Sequence, residues 1–486
     1  MRHRTQRAGG PRPSRLVVLV VAAALLAGAG RAGAGEVLAL TLDEAVELAL
    51  DKGHALGMTE AAEEAARARM WQARAAFLPS VSASGSYTRL DEIPYMDGSQ
   101  FGNMFAPLIA PFQELHDDGL ISDEAMAGLL QGGGSDKIYM GDDDIYSVGV
   151  TVTQPIFTGG ALWGAKGAAG HGLRAAEFNT VRAKHQTRYN ATQAYVMLVQ
   201  AEAALAVLDD AVAQMKGHLR DLEAMYEEGM ILERDIMQAR VQMSSVELDR
   251  SSMRHTVSLA GASLAFQLGL DPGTVIEATD SLERPVSHAR PLEGLVDAAL
   301  AGRPDLMSMK EGVGAADNAV GIARSEFLPS VVAMGSYKWD RPNREYEPEF
   351  YESWSVTIAA QMNVFDWGGR WNRVREARAN RLQAERGLAM MEDAVRLEVE
   401  AGWQEHDAAV EAVAIADRGV LQARESYRVT EESFKSGTAS NSDVLDASTA
   451  LRSAEMDRVA ALARLRLAEA GLDLATGVVG EREGTR

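Results

Sequence analysis

The chain has 486 residues, 47% of them hydrophobic, a formal net charge of −21 and no cysteine. That length accommodates two or more ordinary domains. The negative balance argues against nucleic acid as a partner, and the missing thiols exclude a disulfide framework.

The first residues differ in chemistry from everything after them. MRHRTQRAGGPRPSR is basic, LVVLVVAAALLAGAG is apolar and RAGAG supplies small residues around Ala32 and Ala34, the three zones of a secretory signal peptide. The apolar run from Leu16 is shorter than the roughly 20 residues of a membrane span. Residues 1–34 are therefore expected to be a cleaved signal peptide rather than an anchor. They hold six arginines and no acid, so the exported chain carries −27 rather than −21. Without cysteine the chain also lacks a lipoprotein's attachment site, and any hold on a membrane must come from the fold.

Beyond the leader the sequence repeats itself. LTLDEAVELALDKGHAL from Leu40 returns as RPLEGLVDAALAGRPDL from Arg290, and AFLPSVSASGSYTR from Ala76 as EFLPSVVAMGSYKW from Glu326, both at an offset of 250. PIFTGG from Pro155 resembles NVFDWGG from Asn363, and YEEGMILERDIMQAR from Tyr226 resembles FKSGTASNSDVLDAS from Phe434, the latter at an offset of 208. The chain reads as a tandem duplication, 36–284 and 285–486, whose first copy carries an enlarged loop between FLPS and PIF.

Each copy changes its hydrophobic period in the same order. After FLPS, Val81, Ala83, Gly85 and Tyr87 alternate with serines, and Val331, Ala333, Gly335, Tyr337 and Trp339 occupy the matching positions. Before PIF, Tyr146, Val148, Val150 and Val152 alternate with small polar residues; before NVF, Trp354, Val356, Ile358 and Ala360 do so. Period two predicts strands over about 78–90, 144–157, 328–339 and 351–365. From Ile156 to Asp271 and from Glu349 onward there is no proline, and strong helix formers dominate. Gly229 and Gly437 punctuate these runs where helix C-caps belong, so each copy carries a helical hairpin whose arms approach 100 Å at 1.5 Å per residue.

Strands of nine to eleven residues with one apolar face match outer-membrane barrel strands. Tyr87, Tyr337, Trp339, Trp163, Trp367 and Trp371 are expected at strand ends, as in an interfacial aromatic girdle. Four strands cannot close alone, since open edges leave backbone groups without partners in hydrocarbon. Two chains would give a filled eight-stranded barrel, and three would give twelve strands with room for a passage.

These paired phrases, in this order, resemble the TolC-type outer-membrane efflux protein family, from LTLDEAVELAL to about Gly477. The resemblance implies an α+β membrane protein: a homotrimeric, twelve-stranded outer-membrane β-barrel set in lipid, a periplasmic α-helical barrel below it, and a mixed collar from the inter-repeat segment and the termini. It implies the outer channel of a tripartite efflux pump or type I secretion system, working with a periplasmic membrane-fusion adaptor and an inner-membrane transporter, with no cofactor. In that arrangement FLPS marks where a helix ends, proline forbidding its continuation, and the chain enters the barrel. The enlarged loop, 90–144, then faces the cell exterior. A short helix is expected there in SDEAMAGLL. The run Asp142 to Asp144 lacks the spaced ligands of a calcium loop and reads as solvated.

The hairpin tips carry the candidate site. Ser440, Asn441 or Ser442 is expected as an N-cap, with Asp443 and Asp446 in or near the first helical turn, where acids complement the helix dipole. The resemblance implies a second role, because DVLDA matches the family phrase whose two aspartates line the periplasmic entrance, six carboxylates in three copies. The first repeat keeps Asp235 but has Gln238 where the second has Asp446. Two departures stand out: Phe434 occupies the family's tyrosine position and Ala439 its arginine position. Gly229, Met230, Ile231 and Leu232 with Gly437, Thr438, Ala439 and Ser440 form small or apolar tips suited to docking an adaptor hairpin, although small residues also simply permit tight helix turns.

Catalytic chemistry is not expected: the nine histidines are scattered, with no HExxH, no thiol nucleophile and no phosphate-cradling glycine loop. No metal site is assigned. The competing class is an exported structural or adaptor-like coiled-coil protein of the periplasm. An adaptor would carry a lipoyl-like motif and few barrel-length strands, and neither describes this chain.

Overall fold

The computed structural model describes residues 37–130, 137–139, 141–283 and 291–477. The expected signal peptide and the repeat junction at 284–285 lie outside them. In chain order the elements are β1 (Val37–Leu40), α1 (Leu42–Lys52), α2 (His54–Ala75), β2 (Ser80–Arg89), β3 (Tyr95–Asp97), α3 (Gly98–Asp117), α4 (Asp123–Leu130), β4 (Lys137–Tyr139) and β5 (Asp144–Phe157). There follow α5 (Ala161–Glu227), α6 (Glu233–Gln267), β6 (Val275–Ala278), α7 (Leu292–Gly302), α8 (Pro304–Ser325), β7 (Ser330–Arg341), β8 (Tyr351–Gln361), α9 (Gly369–Lys435) and α10 (Asn441–Thr476). Helices α5 and α9 have 67 residues each, about 100 Å of helix. The chain divides into two compact units, and each draws on both sequence repeats: one takes the residues up to Ala65, Arg174–Glu311 and those from Glu385, the other Ala66–Leu173 and Gly312–Ala384.

The second unit is built on one antiparallel sheet of order β2-β5-β7-β8. Its register follows from side-chain chemistry. Val81 pairs with Val152, which pairs with Gly335, which pairs with Val356; one step along, Ala83, Val150, Tyr337 and Trp354 align. The intervening row is Ser82, Thr151, Ser336 and Ser355. Because side chains alternate faces along a strand, most apolar residues of the four strands share one face and most small polar ones share the other, with Val332 and Met334 of β7 on the polar side. The apolar face is open: Val356 is 71% and Trp354 75% exposed. The outer edges of β2 and β8 have no ladder partner among the described residues.

The FLPS phrases do the same work twice. Helix α2 ends at Ala75 and α8 at Ser325; Phe77 N–H then donates to Arg74 O at 3.1 Å and Leu78 N–H to Ala75 O at 2.9 Å, matched by Phe327 to Arg324 at 3.2 Å and Leu328 to Ser325 at 3.0 Å. Pro79 and Pro329 follow, and the strands begin one residue later. Trp163 and Trp371, expected at strand ends, are instead the third residues of α5 and α9. They pack edge-on to Phe77 and Phe327, with centroids 5.1 and 5.5 Å apart. Strand β8 stops at Gln361, short of 365, because Gln361 pairs with Ser330, the first residue of β7, and Pro329 before it has no N–H to extend the ladder; Trp367 at φ 54° and Gly368 at φ 84° then turn the chain toward α9.

The described residues of the 90–144 insertion hold more regular structure than their sequence suggests. A small β3–β4 ladder closes its base, and α4 covers most of SDEAMAGLL. Helix α3, however, runs through Pro107 and Pro111, where proline predicts a break. Leu108, Phe112 and Leu115 recur at helical spacing, and the prolines obscure that pattern.

The first unit is mainly helical. Strand β1 lies parallel to β6, pairing Val37 with Val275 and Leu40 with Ala278. Buried Tyr195 of α5 secures the pair: its hydroxyl donates to Leu40 O at 2.9 Å and accepts from Asp280 N–H at 3.1 Å. A separate core of Leu295, Ala299, Leu306, Val395, Val399, Leu472 and Ala475 borders a buried ion pair. Arg303 and Asp305 are each 6% exposed. Arg303 grips Asp305 through both Nε (3.1 Å) and Nη2 (2.7 Å), while Nη1 donates to Glu398 at 2.8 Å and to the Ala475 carbonyl at 2.9 Å. That carbonyl belongs to the last turn of α10, which has no intrahelical donor left.

Candidate functional site at the helix tips

Two helix-turn-helix tips, one per repeat, belong to the first unit. Gly229 has φ 76° and Gly437 φ 77°, a left-handed conformation that glycine adopts without Cβ strain. At the first tip Gly229 N–H donates to Tyr226 O at 2.8 Å and Met230 N–H to Met225 O at 2.9 Å; at the second Gly437 donates to Phe434 O at 2.9 Å and Thr438 to Ser433 O at 2.8 Å. Both are Schellman caps with the same bonds at the same offsets.

The helices that follow start differently. Ser440 is the N-cap of α10: its Oγ accepts from Asp443 N–H at 3.3 Å, and the Asp443 carboxylate accepts from Ser440 N–H at 2.8 Å and Ser440 Oγ at 2.7 Å. This is a complete capping box. The Ser440 hydroxyl and N–H hold the Asp443 carboxyl below its ordinary range. In the first repeat the N-cap is Leu232, which offers no accepting side chain, so only Asp235 reaches back, accepting from Leu232 N–H at 3.2 Å. Half the box is missing. Ser440→Ala is thus expected to lower stability by about 1 kcal/mol, and Leu232→Ser to raise it by up to about 1 kcal/mol. Guanidinium unfolding followed by circular dichroism checks both.

Beneath the tips the two hairpins share a core of Leu222, Ile236, Ala239, Phe434 and Val444, with Ile231, Ala439 and Leu445 against it. Phe434 therefore packs inward, and Ile231 and Ala439 are partly covered. The exposed tip residues are Gly229, Met230, Leu232, Gly437, Thr438 and Ser440. Asp443 and Asp446 are exposed and Asp235 is half-buried. Asp446 accepts no hydrogen bond among the described residues, whereas Asp443 and Asp235 are both engaged by N-caps. Arg452 of α10 meets Asp249 of α6 at 3.3 Å and Gln242 meets Thr449 at 3.1 Å, lacing the hairpins together along their length.

Sequence reasoning missed His218 and gave Asn441 only as an N-cap candidate. His218, 8% exposed, and Asn441, 4% exposed, form a buried hydrogen bond of 2.8 Å between α5 and α10. The available signal was a histidine close to the apolar stripe of Met215, Leu219 and Leu222.

Comparison with known proteins bears on the paired tips and the four-stranded sheet together. Residues 295–478 match the outer membrane efflux protein family. The outer membrane efflux protein BepC of Brucella suis is 23% identical over 331 residues, 68% of this chain and 72% of its own. The chain is similar to outer membrane efflux proteins. The outer membrane protein TolC of Vibrio cholerae is 19% identical over 64% of this chain and 72% of its own. Among solved structures, the Campylobacter jejuni CmeC outer membrane channel superposes with a TM-score of 0.73 at 18% identity, covering 91% of this chain and 87% of CmeC. That likeness establishes the fold.

Proposed function

We propose that three copies of this chain form a passive outer-membrane efflux channel. The observation that carries the reading is the sheet register. Four strands with one mainly apolar face and one face rich in Ser and Thr, interrupted by Val332, Met334 and Lys338 of β7, have the composition of a barrel wall, with lipid outside and water inside. The two unpaired edges require other copies. Since neighbours in the sheet run antiparallel and the strands number four, β8 of one copy is also antiparallel to β2 of the next, and three copies close twelve strands. Helices α5, α6, α9 and α10 form a periplasmic helical barrel, and the exposed tip residues dock a membrane-fusion adaptor that couples the channel to an inner-membrane transporter. The 90–144 insertion faces outward. A periplasmic coiled-coil protein would leave the apolar face of the sheet without a use.

The test is direct. Detergent-extracted mature protein is expected to sediment as a trimer and to conduct in a planar bilayer, and protease added to intact cells is expected to cut only within 90–144. A stable monomer that crosses bilayers, or cleavage at Gly229 or Gly437 in sealed cells, would overturn the reading.

A further inference from the structure

We propose that His218 and Asn441 form an internal clamp that sets the position of the α10 start, and with it the aperture at the helix tips. The inference rests on the channel reading for its consequence but not for its geometry.

Asn441 is the first residue of α10. Its Nδ2 donates to the backbone carbonyl of Asp235, in the first turn of α6, at 3.0 Å. That bond fixes the amide so that Oδ1 faces His218 Nε2 at 2.8 Å, and Nε2 must then be the protonated ring nitrogen. One side chain thereby joins three helices, α5 and α6 of the first repeat and α10 of the second. Phe434 closes the site, its ring set edge-on to the His218 ring at 5.5 Å, and the apolar tip core surrounds it.

A buried polar pair inside an apolar cluster is a poor way to gain stability, because well-packed apolar side chains do as well. What it supplies is register: the pair is satisfied at one relative placement of the helices and orphaned at others. The duplication does not provide a second copy. At the offset of 208 the counterpart of His218 is Ser426 and that of Asn441 is Glu233, both exposed. The clamp runs one way, from the first hairpin to the second. Asp443 and Asp446 lie two and five residues beyond Asn441, so the clamp positions both carboxylates. His218 and Asn441 are positioning residues.

The variants His218→Leu and Asn441→Val delete the bond and keep the volume apolar. His218→Gln keeps an N–H donor near the Nε2 position. In hydrogen–deuterium exchange on the detergent-solubilised protein, peptides covering 229–239 and 437–446 are expected to exchange about tenfold faster in the Leu and Val variants, the size of one lost buried hydrogen bond. The Gln variant is expected to match wild type, and the double variant to match either single. In planar bilayers the Leu and Val trimers are expected to show higher single-channel conductance, with wild-type values restored in His218→Gln. Unchanged exchange in the Leu and Val variants would overturn the clamp. Faster exchange with unchanged conductance would overturn its hold on the aperture. A wild-type protein that carries no current would instead sink the channel reading, while exchange still decides whether the clamp exists.

Discussion

Asp305→Ala is expected to destabilise the helical unit by about 3–5 kcal/mol, the usual cost of leaving one partner of a buried ion pair uncompensated. Arg303 would lose the acceptors of both Nε and Nη2 and keep Glu398, whose side chain is half exposed. The loss falls beside the last turn of α10, because the same guanidinium serves the Ala475 carbonyl. Guanidinium unfolding monitored by circular dichroism reads the change. The paired variant Arg303→Met with Asp305→Leu is expected to recover most of it, since apolar packing of similar volume replaces buried charges without penalty. The effect also has a pH signature. Burial alone would raise the Asp305 carboxyl, but the Arg303 hydrogen bonds and charge hold it below its ordinary range. A carboxyl lowered by folding contributes stability that is fully present above its unfolded value, about 3.9, and is lost as pH falls through the folded value. The gap between wild type and Asp305→Ala is therefore expected to be full at neutral pH and to narrow on strong acidification.

The double variant Asp443→Asn with Asp446→Asn is expected to abolish block of the channel by multivalent cations added on the periplasmic side, with the trimer intact. In the proposed trimer, three copies would bring six carboxylates to one aperture, and closely spaced like charges attract cations strongly. Asparagine preserves size and deletes charge. The geometry divides the labour: Asp443 is tied into the Ser440 capping box, while Asp446 is exposed. Asp446→Asn alone is expected to remove most of the block, Asp443→Asn less, and Asp235→Asn least, since Gln238 stands where the second repeat has Asp446. Planar-bilayer titration with a trivalent cation measures each. Undiminished block in a folded double variant would leave both residues as helix-start acids.

The parts of the fold legible in the sequence are those whose physics is local. A sheet with one wet and one apolar face writes period two directly into Ser80–Tyr87 and Tyr146–Thr153. The turns at Gly229 and Gly437 are legible because a left-handed cap admits few residues besides glycine. Helix α3 was hidden by Pro107 and Pro111, whose local veto gives way to the apolar spacing around them. The His218–Asn441 bond joins residues 223 positions apart, and neither residue type announces a partner. The division between Asp443 and Asp446 depends on the backbone of Ser440, at φ −88° and ψ 163°, which no residue pattern states outright. The interleaving of the two units was legible only through the resemblance, which places the strands of both repeats in one barrel and their helices in another, whereas repeats in sequence alone suggest domains in series.

That interleaving has a consequence for biogenesis. The central ladder of the sheet joins β5 to β7, pairing Tyr146 with Arg341, so a strand made early must wait for one made nearly two hundred residues later. Until then β2 and β5 can form only a hairpin, which is marginal in water on its own. Non-local pairings of this kind are slow to form and leave apolar strands open to aggregation meanwhile. An exported chain emerges from the inner membrane N-terminus first, and this one cannot finish either unit from its first half. The interval between the two halves is the period in which Val148, Val150 and Val152 stay open to other chains.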